Sequence, residues 1–193
     1  MTFDTIIIGG GHSGLQQGIA LQKRGQQCLI VCAGESPRRF RDPEWSQEVE
    51  RHRFEDLGGV WLDDRVLRGA FDAVNETGLR FRVEPGMTLL CLYTEKRGEK
   101  PFVADQYILA TGSFYSGGLV ADPVRIVEPV FGLDVYFEGG HKDWVRPDFF
   151  APQPFMTFGV RVDAERRALR AGRPVLNLQA VGSVVCACDA QHA

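Results

Sequence analysis

Three glycines close to the start of the chain have the spacing of a nucleotide-binding turn. Gly9, Gly11 and Gly14 form the pattern G-x-G-x-x-G between a strand-like apolar run and a segment with helical periodicity. In such a turn the first glycine permits a tight bend, the second lets backbone approach a pyrophosphate, and the third allows the helix to pack closely on the strand. Because the amino terminus of a helix attracts anions, the pattern predicts a nucleotide held through its phosphates.

The other residues of this turn belong to the same predicted site. Gly10, His12 and Ser13 lie between the three glycines and are therefore included among the expected cofactor-binding residues. His12 is compatible with donation to a phosphate oxygen and with a solvated position at a helix start, and the second interpretation is favoured. A glycine-rich turn without a ligand is the alternative for the whole motif.

The acidic residue that usually binds the ribose hydroxyls is missing. It normally lies about 20 residues after the glycines, at the end of the second strand. This chain has Cys32 at that place, and Glu35 follows only in the loop. Since a thiol is a poor acceptor for a ribose diol, NAD or the adenosine half of FAD would lose a charge-assisted contact of roughly 1.5 to 3 kcal/mol. We therefore expect Cys32 to lie beside a nucleotide that is less firmly anchored.

Two later segments are expected to reach the same nucleotide. An apolar strand in residues 105–114 ends in Ala-Thr-Gly-Ser, which is typical of flavoproteins in which this strand returns beside the first turn. Thr111, Gly112 and Ser113 are therefore predicted near the cofactor, and an ordinary strand followed by a turn is the alternative. A last strand ends in Gly182 and Ser183, where many FAD enzymes have Gly-Asp. We include both residues in the predicted site.

Strand and helix patterns place these turns in an α/β fold. Residues 3–8 and 28–32 are strand-like and flank a helical segment at 13–24, which predicts a βαβ unit. The whole pattern predicts a three-layer Rossmann-like FAD/NAD(P)-binding fold with a central parallel sheet and an antiparallel β-meander. The expected single domain of residues 1–193 comprises the nucleotide-binding unit at 1–34, a linker and helix at 35–59, the meander at 60–104, and return strands with Pro- and aromatic-rich loops at 105–193.

Four finer features follow from the same patterns. A helix is expected from about residue 45 to 57, before Gly58. The segment "LRFRV" at 79–83 is expected to be a strand, and the charged residues 96–99 are expected to form a hairpin turn. The last strand is predicted at 175–184.

Composition excludes some classes of function. The chain of 193 residues has 22 basic and 25 acidic residues and a formal net charge of -3, which gives no electrostatic reason to expect nucleic acid or direct membrane insertion. No leader or spanning segment is recognised, since a span needs about 20 apolar residues, and a cytoplasmic location is expected. The chain has 5 cysteines, an odd number that fits a reducing compartment. We expect most of them to pack as small apolar side chains, and no metal site is predicted. A redox or metal-binding pair is the alternative for Cys186 and Cys188, and packing is favoured for both.

Five segments together resemble one family of flavoproteins. They are "FDTIIIGGGHSGLQQGIALQKRGQQCLIV", "YILATGSFYSGGLVA", "EPVFGLDV", "DFFAPQPFMTFGV" and "NLQAVGSV". The combination closely resembles the B subunit of bacterial anaerobic glycerol-3-phosphate dehydrogenase. The resemblance implies a flavin-binding subunit with FMN, or FAD as the alternative. It also implies two partners, which are an FAD-bearing catalytic subunit and an iron-sulfur subunit that anchors the assembly and passes electrons to membrane quinone. The implied reaction is oxidation of sn-glycerol 3-phosphate to dihydroxyacetone phosphate.

The resemblance accounts for two departures from the usual FAD pattern. Members of the family also lack the acidic ribose ligand and end the last motif in Gly-Ser, so Cys32 and Ser183 are family traits. A mononucleotide flavin has no adenosine ribose to bind, which makes the missing carboxylate physically intelligible. The resemblance spans residues 1–34 and 52–185, whereas family members are longer: a middle region is absent around residues 37–45, and a glycine-rich C-terminal helix is missing.

No catalytic base is identified from the sequence. His141, Asp134 and Asp148 are candidate proton carriers, but local turn roles are favoured for them. Arg125 and Arg161 are candidate phosphate ligands, and surface-charge roles are favoured.

Two other functions are kept as alternatives. The first is a non-catalytic accessory domain that binds a partner through an aromatic surface around Phe149, Phe150 and Phe155. The second is a nicotinamide-dependent reductase, which both Cys32 and the Ala-Thr-Gly strand disfavour.

Overall fold

The computed structural model describes residues 2–36, 38, 42–72, 87–148 and 150–187. The helices are α1 (His12–Gln22) and α2 (Gln47–Asp56). The strands are β1 (Phe3–Ile8), β2 (Cys28–Cys32), β3 (Val60–Asp63), β4 (Val66–Asp72), β5 (Thr88–Thr94), β6 (Ala104–Leu109), β7 (Val120–Ala121), β8 (Ile126–Val127), β9 (Val135–Tyr136), β10 (Gly159–Val160), β11 (Arg167–Arg170) and β12 (Arg173–Ala180). Short 3-10 helices span Phe114–Ser116, His141–Asp143, Pro154–Thr157 and Gly182–Val184.

A six-stranded sheet in the order β11-β12-β6-β1-β2-β3 forms the centre of the fold. All neighbouring pairs are parallel except β11 with β12. Ile8 at the end of β1 is in register with Val31 of β2 and Leu109 of β6, and Leu109 is in register with Ala180 of β12. Since parallel strands share a direction, the residues that follow β1, β6 and β12 emerge at one edge of the sheet.

The helices cover one face of this sheet. Strands buried on both faces read as nearly continuous apolar runs, as β1 and β2 do. Ile7 and Ile30 point to the helical side, where they pack with Leu15 of α1 and Phe54 of α2. Gly18 in α1 permits this approach, because a Cβ there would lie 2.9 Å from the Phe54 ring.

The opposite face is covered by the antiparallel hairpin of β4 and β5. Ile8 and Val31 point to this side and belong to one core with Leu89 and Leu92 of β5. Helices, sheet and hairpin thus form three layers. The predicted fold class is confirmed.

A side-chain amide fixes the hairpin on the sheet. Asn177 of β12 accepts a hydrogen bond from the main-chain N of Leu89 at 2.8 Å and donates to the O of the same residue at 2.9 Å. Tyr107 of β6 is fully buried and donates to the O of Leu90 at 3.2 Å. Burial raises the pKa of this phenol, so it stays a neutral hydrogen-bond donor.

Aromatic rings hold the loop-rich last third of the chain. Trp144 and Phe158 are buried and meet edge to face, with ring centroids 6.5 Å apart. Phe137 packs edge-on against both, at 5.9 Å from Trp144 and 6.5 Å from Phe158. Edge-to-face pairs of this kind add specificity to apolar burial, which gives a segment with little regular structure a fixed core.

Two predicted strand boundaries are wrong. The sequence pattern places residues 60–63 in the meander, but they form β3 and pair in parallel with β2. The reason is that α2 acts as a second crossover helix and delivers the chain to the edge of the sheet. The last strand ends at Ala180 and not at 184, because Gly182 takes a φ of +76° and turns the chain into a 3-10 helix. The segment at 79–83 lies outside the described residues.

The other predicted elements agree closely with the structure. The first helix starts one residue earlier than expected, at His12, and ends at Gln22. The second spans Gln47–Asp56, and the hydroxyl of Ser46 accepts from the N of Val49 at its start. The expected hairpin turn lies between Leu92 and Phe102, which form an antiparallel bridge.

Most of the cysteines are packed in the core, as predicted. Cys28, Cys32 and Cys91 are buried free thiols. Cys186 is buried too, but it is disulfide-bonded, so the prediction that it packs only as a small apolar side chain is wrong. Burial, with a smaller contribution from Asp4, raises the pKa of Cys28 to about 11. This thiol is therefore protonated and inert at neutral pH. Cys188 lies outside the described residues.

A buried carboxyl group orders the turn after β8. Glu128 is 2% exposed, and its carboxylate accepts from the main-chain N of Val130 at 2.9 Å and of Phe131 at 2.7 Å. Burial raises the pKa of Glu128, although the main-chain donors act in the opposite direction. The folded protein consequently binds this proton more tightly than the unfolded chain does.

Replacing Glu128 should change how stability depends on pH. The folded pKa lies above the ordinary value of 4.5, so the contribution of the protonated group is complete below that pH and is lost as the pH rises through the folded pKa. In urea unfolding at a series of pH values, the stability of wild type relative to Glu128→Gln should therefore fall as the pH rises from 4.5. Parallel curves for the two proteins, or a relative gain for wild type, would contradict this account.

Candidate functional site

The sheet ladder continues into the turns that form the candidate site. Main-chain hydrogen bonds join each of three turns to the end of a neighbouring strand. They are Gly9 N to Val31 O at 2.8 Å, Ala110 N to Ile8 O at 2.7 Å and Val181 N to Leu109 O at 2.9 Å. The turns after β1, β6 and β12 therefore start at the same height above the sheet. This edge is where nucleotides bind in open α/β sheets.

Close packing explains the first and last glycines of the motif. Gly9 has a φ of +109°, and a Cβ there would lie 2.3 Å from the O of Ala110. A Cβ on Gly14 would lie only 1.9 Å from the O of Gly9. Neither position has room for a side chain, and glycine at both lets α1 start directly against the turn and the neighbouring strand.

The two downstream motifs meet the first turn. A Cβ on Gly182 would lie 2.4 Å from the hydroxyl of Ser13. Gly112 has a φ of +76°, and the point its Cβ would occupy is 3.7 Å from the hydroxyl of Ser183. The structure thus brings together the three segments that the sequence patterns assign to one site, although they are far apart in the chain.

The amino terminus of α1 is suited to an anion. Gly11 is the N-cap residue, so no side chain caps the helix, and its first turn contains no acidic residue. The first main-chain N–H groups of a helix have no partner within the helix, and they carry partial positive charge. A phosphate at this position would be bound by these groups.

Two buried polar atoms near these turns also lack partners. Within the part of the chain that the structure describes, Nδ1 of His12 and Oγ1 of Thr111 are buried without a hydrogen bond. Leaving such groups unsatisfied is unfavourable by about 1 to 3 kcal/mol each. A ligand with oxygen atoms would satisfy them, so the residues fit the phosphate end of a nucleotide. The ring of His12 meets Trp45 edge-on at 6.0 Å, so His12 is partly packed rather than fully solvated.

The place of the usual acidic residue is occupied by a hydrogen-bonded network. The thiol of Cys32 donates to the O of Gly34 at 3.0 Å. Nε2 of Gln47 donates to the O of Gly10 at 2.7 Å, and Oε1 of the same side chain accepts from the N of Ser36 at 2.7 Å. Sequence patterns do not identify Gln47, because it belongs to no nucleotide-binding motif. The available signal is its place in the first turn of the helix after the second strand.

An aromatic ring packs against the same side of the turn. A Cβ on Gly10 would lie 2.2 Å from Cη2 of Trp61 and 2.7 Å from the sulfur of Cys32. The indole of Trp61 donates to the carboxylate of Asp63 at 2.8 Å, and the guanidinium of Arg51 lies 5.0 Å from its ring centroid. The ring is thus held from two sides and covers Gly10.

Two of the candidate proton carriers accept hydrogen bonds from main-chain N–H groups. Asp134 accepts from the main-chain N of Ala171 at 2.9 Å and of Gly172 at 2.7 Å. Asp148 accepts from the N of Phe150 at 3.0 Å. The contact of Asp148 is the local turn role that the sequence favours. Asp134 instead joins its loop to the distant turn between β11 and β12, so the local role predicted for it is wrong.

His141 lies instead on an open apolar cavity beside the predicted site. The cavity has a volume of about 300 Å³, and Phe114, Trp144 and Phe155 contribute to its walls. Phe114 follows Ser113 directly, so the cavity adjoins the turn after β6.

The two candidate phosphate-binding arginines lie on different elements of the fold. Arg125 forms an ion pair with Asp122 at 3.3 Å, as expected for a surface charge. The main-chain N of Arg161 donates to the O of Asp134 at 2.8 Å, which places it next to β10. Among the described residues, no group of three or more potential metal ligands is clustered, and no helix is long and apolar enough to cross a membrane.

Comparisons with known proteins agree with the fold. The FAD binding domain family matches residues 41–190. The B subunit of anaerobic glycerol-3-phosphate dehydrogenase from Yersinia enterocolitica is 39% identical over 136 residues, which is 70% of this chain and 29% of that protein. The protein of the same name from Aliivibrio fischeri is 35% identical over 142 residues, 72% of this chain and 30% of that protein. The resemblance predicted from the sequence is confirmed. The chain spans about 30% of the length of these relatives.

Solved structures with a similar arrangement include two thioredoxin reductases. The one from Gloeobacter violaceus is 18% identical, with a TM-score of 0.41 over 63% of this chain and 36% of that one. The atypical enzyme from Desulfovibrio vulgaris is 23% identical, with a TM-score of 0.43 over 64% of this chain and 39% of that one.

Substitution of Gly14 should reverse the usual effect of alanine in a helix. A Gly→Ala change inside a helix normally stabilises by up to about 1 kcal/mol. At Gly14 the new methyl group would collide with the O of Gly9, so we expect Gly14→Ala to lower the free energy of unfolding by about 1 to 3 kcal/mol. The measurement is urea unfolding followed by circular dichroism. Gln17→Ala, on the exposed side of the same helix, is the matched control and should be nearly neutral. Equal stability of the two variants would refute the close contact.

Proposed function

The chain belongs to the FAD binding domain family, and we propose on this basis that it is the flavin-binding part of an oxidoreductase. One observation supports the proposal most directly. The turns that contain Ser13, Gly112 and Gly182 converge beside the uncapped amino terminus of α1. Their convergence provides helix N–H groups, hydroxyl groups and other main-chain groups at one edge of the sheet, which is the chemistry that a flavin phosphate needs.

Particular residues would hold the flavin. The main-chain groups of Gly11, His12 and Ser13 would bind the phosphate, and the hydroxyl of Thr111 would gain the partner that it lacks among the described residues. Gly112, Ser113, Gly182 and Ser183 would line the continuation of the site. When bound, the flavin supplies two-electron redox chemistry, and the protein contributes position and electrostatics.

FMN is the flavin that we propose, with FAD as the alternative. Two observations favour FMN: Cys32 offers no carboxylate, and its thiol is already engaged with the O of Gly34. The alternative has support in the name of the matching family, which points to FAD. Because FMN lacks the adenosine ribose, it would not need the missing acidic residue.

The proposed reaction follows the names of the relatives. By analogy with the B subunit of anaerobic glycerol-3-phosphate dehydrogenase, the chain would take part in oxidation of sn-glycerol 3-phosphate to dihydroxyacetone phosphate, with electrons passed towards quinone. The proposed partners are an FAD-bearing catalytic subunit and an iron-sulfur subunit that anchors the assembly. The proposed location is the cytoplasm, at the membrane only through those partners.

An accessory role is the second candidate. Phe150 is 94% exposed and Met156 is 67% exposed, so both large apolar side chains are accessible to a partner. Phe155 is instead partly buried against Phe114, at 5.9 Å between ring centroids, so the aromatic surface is smaller than the sequence predicts. Phe149 lies outside the described residues. Partner binding through Phe150 and Met156 without any flavin would support this role.

Flavin binding can be measured directly. The protein purified without added cofactor, and again after incubation with FMN or FAD, should show flavin absorbance at close to one flavin per chain. Chromatography of the released cofactor should identify the flavin. A protein that neither carries nor takes up flavin would refute the proposal and leave the accessory role.

The variant Thr111→Val tests where the flavin binds. Removing a buried hydroxyl that lacks a partner should leave the free protein equally or more stable, because no existing hydrogen bond is lost. Flavin affinity should fall about five- to tenfold, as expected for one hydrogen bond. Thr88→Val in β5 is the matched control and should change neither quantity. Unchanged flavin affinity in Thr111→Val would show that this hydroxyl does not contact the cofactor.

A further inference from the structure

The side of the glycine turn that faces β2 is where a dinucleotide would place its adenosine ribose. In nucleotide-binding βαβ units a carboxylate at the end of the second strand accepts hydrogen bonds from the two ribose hydroxyls. A site for the adenosine half therefore needs two features: open space beside the second strand end and a free acceptor. The contacts of the residues around Cys32 show whether this space is open and whether an acceptor is free.

Gln47 occupies this position with both ends of its amide engaged. Its Nε2 donates to the O of Gly10 at 2.7 Å and also lies 3.5 Å from the O of Gly34 and 3.6 Å from the sulfur of Cys32. Its Oε1 accepts from the N of Ser36 at 2.7 Å. The side chain thus joins the first turn to the loop after β2, across the place where a ribose would lie.

Cys32 offers no acceptor either. Its side chain is 6% exposed, and the thiol hydrogen is directed to the O of Gly34 at 3.0 Å. Neither Cys32 nor Gln47 carries a formal negative charge in this arrangement. A ribose diol would therefore have to break existing hydrogen bonds and would gain no charge-assisted contact from either of these residues in return.

Two further groups remove the open space. The ring tip of Trp61 lies 2.2 Å from the point that a Cβ on Gly10 would occupy. The hydroxyl of Ser36 lies 3.4 Å from the corresponding point on Gly11. The glycine backbone is therefore approached by other side chains on the β2 side, whereas the helix terminus and the turns after β6 and β12 lie on the other side.

We infer that Gln47, supported by Cys32 and Trp61, closes the adenosine side of the glycine turn and makes the site select a mononucleotide flavin over a dinucleotide. This inference rests on the proposed flavin-binding function. Gln47 is the specificity-determining residue, because its amide connects Gly10 with the loop after β2. FMN fits without disturbing this network, whereas FAD must displace it to place its second nucleotide.

The test compares the affinities of three ligands for the full chain. FMN and FAD are titrated by quenching of their fluorescence, and ADP is titrated by calorimetry as a probe for the adenosine half. Wild type should bind FAD at least about tenfold more weakly than FMN, since several hydrogen bonds must break, and it should not bind ADP. Gln47→Ala should bring the affinities for FMN and FAD closer together, mainly because the variant binds FAD more tightly than wild type does.

A second variant and a control separate specificity from folding. Cys32→Glu combined with Gln47→Ala restores the usual carboxylate and opens the space, so it should bind FAD at least as tightly as FMN and should acquire measurable ADP binding. Gln17→Ala removes an exposed glutamine from α1 and should leave the ratio unchanged. Circular dichroism shows whether each variant is folded, and Gln47→Ala is sufficient for the test when the double variant does not fold.

Different outcomes distinguish this inference from the proposed function. Wild type that binds FMN and FAD equally, or that binds ADP, would overturn the inference and leave flavin binding intact. If the ratio of the FMN and FAD affinities is the same in Gln47→Ala as in wild type, other residues cause the selectivity. That result would overturn the inference as well. Wild type that binds no flavin would refute the proposed function itself, and the selectivity inferred from it.

Discussion

The candidate site depends on one close contact, between the start of α1 and the turn that precedes it. Gly14 lies so near the O of Gly9 that even a methyl group would not fit. Because of this contact, the amino terminus of the helix lies at the edge of the sheet where β1, β6 and β12 end. The parallel register then brings Gly112 and Gly182 to the same place, so a site built from three distant segments follows from local packing and strand direction.

The two sides of the glycine turn differ in chemistry. On one side, the uncapped helix terminus and the hydroxyl of Thr111 leave polar groups without partners among the described residues. On the other side, Gln47 satisfies the main chain of Gly10 and Ser36 within the protein itself. A ligand with one phosphate group and no second nucleotide matches this asymmetry, because it would use the unsatisfied side and leave the satisfied one intact.

Local patterns predict much of the fold, and the remaining features depend on contacts between distant residues. The βαβ unit follows from apolar periodicity and glycine spacing, and both extend over a short stretch of chain. The pairing of β3 with β2 depends on the position at which α2 ends in the fold. The sequence pattern around Val60 contains no information about that position. The sequence does not predict the roles of Gln47 and Trp61 for the same reason. Both side chains contact Gly10 only in the folded protein.

The location of the bound phosphate tests the central claim most directly. Main-chain amide signals of isotopically labelled protein can be followed by NMR while FMN is added. The account predicts that the amides of Gly11, His12 and Ser13 shift most, together with those of Thr111 and Ser183, while the amides around Asn177 and Leu89 shift little. Saturable shifts centred on another part of the molecule, or no saturable shift at all, would contradict a flavin site at the amino terminus of α1.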